Sequence, residues 1–361
     1  MRHFIFIPAL LMISACATTK ASQKQVEVRP VPISKTSDYD GQQDFDRARQ
    51  AARRGHYVRA YSLYQKLVAR LPDTDTLKQP ARLGLADSAL SLSGQKPQLA
   101  ESAKTIYLSL AMNEKLDPAL RTLAKTGLLL VDLDKMEPQK AEVKIRQALI
   151  RQSDDVRLWN ALGHISDAQN KWMQSLDAYV QALTIAKKNG NNTAPAINNI
   201  GMSLLMQGRY KEAILKFEHA AEIDSDKQLY DNNKRLALIL SGQLDKAVEG
   251  LSKTRQAQIY NDAGVLAVRL GKYEHAEHLY QKALEISPVW FALAEANLED
   301  LRGLTDREAK VETDQEKLES RMPQKVDKDG KDSTINTDRD EDYPVPRLSP
   351  HLMAEKSPTP F

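Results

Sequence analysis

Cys16 is the only cysteine in 361 residues. A lone thiol excludes internal disulfides, Cys-based zinc sites and CxxC redox chemistry. The seven histidines are too dispersed for an HExxH site; the nearest pair is His275 and His278. His56, His219, His275 and His278 fall in helix turns or on polar helix faces beside Glu or Lys, and read as solvated side chains. His164 stands three residues before Asp167, and the two could form a polar patch, but no nucleophile accompanies them. The chain has no phosphate-binding glycine loop, no GxSxG elbow and no paired carboxylates in an apolar setting. No catalytic residue, cofactor, metal or small-molecule substrate is expected. The 51 Lys and Arg against 48 Asp and Glu give a net charge of +3, too even a balance to predict nucleic acid as the partner.

Cys16 gains meaning from what precedes it. Arg2 and His3 are followed by the apolar run from Phe4 to Ile13 and then by small residues, the layout of a secretory signal. The run is shorter than the roughly 20 residues of a membrane-spanning helix. The closing Ile13-Ser14-Ala15-Cys16 resembles the bacterial lipobox. That resemblance implies cleavage after residue 15, acylation of Cys16 and a stable lipid anchor, because several acyl chains hold where one does not. Ala17 follows where an Asp would imply inner-membrane retention, so the resemblance points to the outer membrane, facing the periplasm. The alternative is an ordinary signal peptide with a chance cysteine. Residues 16–40 are polar, contain Pro30 and Pro32, lack helical periodicity, and read as a flexible tether.

The rest of the chain is repetitive. Asn199-Ile200-Gly201 running to Gly208-Arg209-Tyr210 and Ala213 is echoed by Asn261-Asp262-Ala263-Gly264 running to Gly271-Lys272-Tyr273 and Ala276. Phe217 and Ala220 then correspond to Tyr280 and Ala283. This resembles the tetratricopeptide repeat, a helix-turn-helix unit of about 34 residues. Small residues let the paired helices approach, a glycine ends the first helix where positive φ is needed, and aromatics fill the space between pairs. Asp44, Ala48, Gly55, Tyr57, Ala60 and Tyr64 carry the pattern at 41–74. Gly84, Gly94, Ala103, Tyr107 and Pro118 carry it at 77–118. A degenerate unit follows at 120–153, with Ala141, Ile145 and Ala148. Trp159, Gly163, Trp172, Tyr179 and Ala182 mark 156–189. Units at 194–227, 228–256 (with a shortened second helix) and 257–290 complete the series.

The expected fold is therefore all-α, an α-solenoid of about seven repeats over 41–302, ending in a capping helix from Phe291. Residues 303–361 are charged, with acidic residues in excess and prolines after Asp342, and read as a mostly disordered tail. Glu and Lys at helical spacings would allow the capping helix to run on to about Arg321. Tyr343-Pro344-Val345-Pro346-Arg347-Leu348 reads either as a docking peptide or as an uncommitted stretch.

Asn160, Asn198, Asn232 and Asn261 recur at one position of the first helix in four successive units. In this repeat family that position lines the concave groove. A row of amides could hold an extended peptide backbone, beside an apolar contribution from Met202, Met206, Leu236 and Leu240. The structural alternative has the same amides bonding across neighbouring helices.

The stretches Asn198-Asn199-Ile200-Gly201-Met202-Ser203-Leu204 and Asp231-Asn232-Asn233-Lys234-Arg235-Leu236-Ala237-Leu238 resemble the TadD lipoproteins of tight-adherence (Flp) pilus secretion systems. That resemblance implies an adaptor whose protein partners are the secretin or other pilus components, with the membrane reached through the anchor. Two rival readings stand beside it. One is a general envelope adaptor for peptidoglycan enzymes or outer-membrane assembly factors. The other is an enzyme with its site hidden in 120–153 or in the tail.

Overall fold

The computed structural model describes residues 41–94, 96–225 and 228–319. Cys16, the signal and tether expectations, and the tail beyond residue 319 lie outside these. The described residues form α-helices and one short 3-10 turn, with no strand among them.

The chain divides into two units that meet within one helix, between Asp231 and Asn232. In the first unit the helices are α1 (Gly41–Arg53), α2 (Tyr57–Arg70), α3 (Lys78–Leu92), α4 (Gln98–Met112) and α5 (Pro118–Asp132). They continue with α6 (Pro138–Arg151), α7 (Val156–Ala168), α8 (Trp172–Lys188), α9 (Ala194–Met206) and α10 (Tyr210–Ile223). The helix α11 (Gln228–Leu240) crosses the boundary. The second unit then has α12 (Leu244–Val248), α13 (Lys253–Arg269), α14 (Tyr273–Ile286) and α15 (Ala292–Glu319). The fold is all-α and of the helix-hairpin solenoid type, as the repeat pattern predicts.

Glycines and aromatics explain the hairpins. Gly55, Gly208, Gly242 and Gly271 follow first helices with φ between 68° and 82°, a conformation that costs glycine little. In the 156–189 unit Asn170 takes that place at φ 57°, a substitution that Asn tolerates better than most residues. Inside the helices, glycine makes room for rings. A Cβ on Gly163 would lie 2.3 Å from Tyr179, and one on Gly264 would lie 2.6 Å from Tyr280. Alanines at the helix crossings, such as Ala60, Ala182 and Ala283, are fully buried.

Two expectations change in detail. Pro118 does not close a repeat. It opens α5, where its missing N–H costs nothing, and Asp117 caps the helix by accepting from the amides of Ala119 and Leu120. The degenerate 120–153 unit is not a closed hairpin either. Its first helix, α5, packs on α4, with Gly127 against the Tyr107 ring, while its second, α6, packs on α7. The capping helix α15 runs beyond residue 302, as far as Glu319.

Candidate functional site

In the first unit the first helices of the hairpins carry polar side chains inward, and three networks result. The deepest centres on Arg157. Asp155 caps α7 by accepting from the Arg157 amide and then grips the same residue's guanidinium through both carboxylate oxygens, at 2.6 to 3.1 Å. On its other side Arg157 reaches Asp87 of α3 at 2.8 Å, and the Tyr107 hydroxyl donates to the same carboxylate oxygen at 2.6 Å. The Arg157 and Asp87 side chains are only 2% and 4% exposed. Burial works against the arginine's charge, but the flanking carboxylates more than offset it and raise its pKa. Sequence separation hides this pairing, since Asp87 and Arg157 are 70 residues apart.

The second network joins α7, α8 and α9. Asp167 accepts from Ser203 at 2.7 Å and from the Tyr179 hydroxyl at 2.8 Å. Tyr179 also stands 3.0 Å from His164 Nδ1, and Ser175 is 3.0 Å from Ser203. Burial pushes the Asp167 carboxyl up to about 6, against the hydrogen bonds from Ser175, Ser203 and Tyr179. The patch expected of His164 and Asp167 thus exists, with Tyr179 as its bridge. It lies within the packed helices.

The third network closes the unit on itself. Asn192, in the loop before α9, donates its backbone N–H to the carbonyl of Arg53 at 2.8 Å and its side-chain amide to the carbonyl of Arg54 at 3.2 Å. The same side chain donates to Asp224 and accepts from the amide of Ala194. The end of the first hairpin helix therefore rests against the α8–α9 loop. A small internal space remains beside this contact, lined by Arg53, Asn160 and Asn191 among others. Each of the three leaves a buried polar atom without a protein partner: Arg53 Nε, Asn160 Nδ2 and Asn191 Oδ1. Nothing in the sequence flags Asn192, because its partners are far along the chain.

The amides that recur at one position of the first helix are placed as follows. Asn160, Asn198 and Asn261 are buried, and Asn232 is half-buried. Asn160 accepts from Asn199 of α9 at 3.1 Å, and Asn261 accepts from Asn297 of α15 at 2.8 Å. Asn232 accepts from Arg255 at 2.8 Å. Asn198 lies beside Asn199. Met202, Leu236 and Leu240 are buried as well, with Met206 half-buried. Bonding across neighbouring helices is therefore what Asn160, Asn232 and Asn261 do in this conformation, while Asn198 is buried beside Asn199, and a ligand-facing ladder is not what it presents. The physical reason is the one that governs any buried amide, which must find partners within the protein once water is excluded. Among the described residues no cluster of His, Cys, Asp or Glu is arranged to hold a metal ion.

Residues 154–226 and 257–288 match the tetratricopeptide repeat family. No curated protein matches the sequence. Among solved structures the chain is similar to a tetratricopeptide repeat protein from Parabacteroides merdae. The identity is 13%, over 73% of this chain and 98% of that one, with a TM-score of 0.39. It is also similar to pilF of Pseudomonas aeruginosa, at 16% identity over 60% of this chain and 97% of that one, with a TM-score of 0.37. A third is YrrB, a TPR protein with an unusual peptide-binding site, at 18% identity over 53% and 96% with a TM-score of 0.33. The matched stretches fall on the hairpins α7–α8, α9–α10 and α13–α14, and these hairpins are tetratricopeptide repeats.

Proposed function

We propose that this protein is a lipid-anchored adaptor of the bacterial outer membrane, facing the periplasm, that binds protein partners during assembly of a tight-adherence pilus secretion system. Tetratricopeptide repeats are protein-interaction scaffolds, which stack hairpins into extended binding surfaces rather than carrying out bond chemistry. The observation that carries the reading is a repeat fold preceded, at the N-terminal end, by Ile13-Ser14-Ala15-Cys16 after a signal-length apolar run. The resemblance of 198–204 and 231–238 to TadD lipoproteins supplies the pilus system, and with it the secretin as foremost partner.

Cys16→Ala separates the anchor from the rest. The variant is expected to leave the membrane fraction or to keep its signal uncleaved, and one that is processed and fractionates like the natural protein rules out the anchor. Crosslinking in intact cells, with the anchored protein as bait, tests the partner. The secretin or another pilus component among the crosslinked products supports the pilus reading. Peptidoglycan enzymes or outer-membrane assembly factors in their place would move the protein to a general envelope adaptor.

A further inference from the structure

The outward side of α6 and α8 carries an unusual combination of residues. Val143 and Ile150 stand seven apart on α6, and Met173 and Val180 stand seven apart on α8, so each pair shares a helix face. Their exposures are 56%, 84%, 78% and 48%. The two helices are tied side by side: Arg146 reaches Gln174 at 3.4 Å, and Glu142 accepts from Lys171 at 2.9 Å. The four apolar side chains thus stand on neighbouring helices of one unit.

The charge around them is mostly basic, with exposed Asp177 of α8 as the exception. On α6 the exposed bases are Lys140, Lys144, Arg146 and Arg151, and α8 ends in exposed Lys187 and Lys188. The acids within these two helices are Glu142 and Asp177. Glu142 is neutralised by Lys171 and Arg146, whose hydrogen bonds hold its carboxyl down near 2. The chain supplies its own comparison in α14. Counted from the buried Tyr280, which corresponds to Ile145 and Tyr179, the matching positions hold Glu274, His278, Gln281 and Glu285. Exposed apolar residues do recur at these positions elsewhere, as Val58 on α2, Leu108 and Met112 on α4 and Leu215 on α10, so what marks α6 and α8 is their coincidence with exposed bases.

We infer that the outer face of α6 and α8, built on Val143, Ile150, Met173 and Val180, docks on a phospholipid surface bearing anionic headgroups. A protein partner would ask for a pocket to receive its anchoring side chains. Here exposed apolar groups alternate on α6 with long cationic ones, and α8 adds two lysines at its C-terminal end. A bilayer interface accepts that arrangement: apolar tips enter the boundary between headgroups and acyl chains, and Lys and Arg extend to the phosphates. Anionic lipid adds an attraction on the order of 1 kcal/mol per basic residue near the surface. No acylation is needed for this contact, so it stands or falls apart from the anchor at Cys16.

The test reads the environment of the face itself. In the full chain carrying Cys16→Ser, a single thiol is placed by Ile150→Cys, by Met173→Cys or, as the control, by His278→Cys. Each is labelled with an environment-sensitive fluorophore. With phosphatidylglycerol-containing vesicles, the labels at 150 and 173 are expected to brighten several-fold and shift to the blue, and the label at 278 to stay unchanged. Neutral vesicles should give little change, and Lys140→Glu with Lys144→Glu should weaken the response. Labels at 150 and 173 that stay water-exposed on anionic vesicles overturn the inference, as does an equal response at 278. Burial of those labels by polyglutamate but not by vesicles also overturns it, in favour of an acidic protein partner.

Discussion

Arg157 shows how one residue can hold distant parts of the first unit together. It sits between Asp155 and Asp87 and is hydrogen-bonded to both carboxylates inside the protein. Removing it leaves two acids buried without their cation, which is far costlier than losing a surface ion pair. Arg157→Ala should destabilise by about 3–5 kcal/mol, read as a shift in the chemical-denaturation midpoint. A loss below about 1 kcal/mol, the size of a surface pair, would show that the network carries little of the fold. Asp167 makes a different forecast. Its carboxyl titrates near 6 in the folded chain against an ordinary 3.8. Between those values the folded state holds a proton that the unfolded state has released. Stability therefore rises as pH falls through about 6 and levels off below 3.8. Asp167→Asn removes this contribution. The melting temperature of the natural protein, relative to that variant, should climb on acidification over this window, and a flat difference contradicts the assignment.

Among the elements, the pairs of glycine and aromatic residues set how closely helices approach. Gly163→Ala would drive a methyl to within 2.3 Å of the Tyr179 ring, and the ring is pinned at its far end by Asp167. With no room to yield, the substitution should cost about 1–3 kcal/mol. The same change at Gly94, where an added methyl would meet no atom within 4 Å, should be nearly neutral. Thermal melts of the two variants give the comparison. The contact between α1 and the α8–α9 loop offers a second test. Asn192→Ala removes side-chain bonds to Arg54, Asp224 and Ala194, at about 1 kcal/mol each. Amide exchange should quicken at the end of α1 and the start of α9 while the α3–α4 hairpin stays protected. Unchanged exchange at both places would mean that the first hairpin is held by other contacts.

Across the full length of the array, each unit is a set of hairpins whose apolar faces are buried only by their neighbours. Stability is then distributed along the series, and ends matter more than any single contact. Leu298 and Leu301 of α15 are buried against the second unit's hairpins, which makes this helix the terminal cover for α13 and α14. A chain shortened to end at Glu319 should keep its helical circular-dichroism signal and its melting temperature within a few degrees. One shortened to end at Pro288 should lose stability, because the α13–α14 face would meet water. Equal melting of all three chains would show that α15 covers nothing of consequence.

The class of element and its period are written in the chain itself. Small residues at helix crossings, aromatics between them and turn glycines at Gly55, Gly208, Gly242 and Gly271 are local requirements of a helix hairpin. Each is legible because cause and effect lie within one repeat. The recurrence of Asn160, Asn198, Asn232 and Asn261 is equally visible, but its meaning is not. Position alone does not say whether an amide faces a ligand or a neighbouring helix, and only the packing of α9 on α7 and of α15 on α13 shows Asn199 and Asn297 as partners. The ion network of Asp87, Arg157 and Asp155, and the closure through Asn192, have no sequence signal at all. Both join residues from separate repeats, and such pairings exist only once stacking has brought remote turns of the chain together.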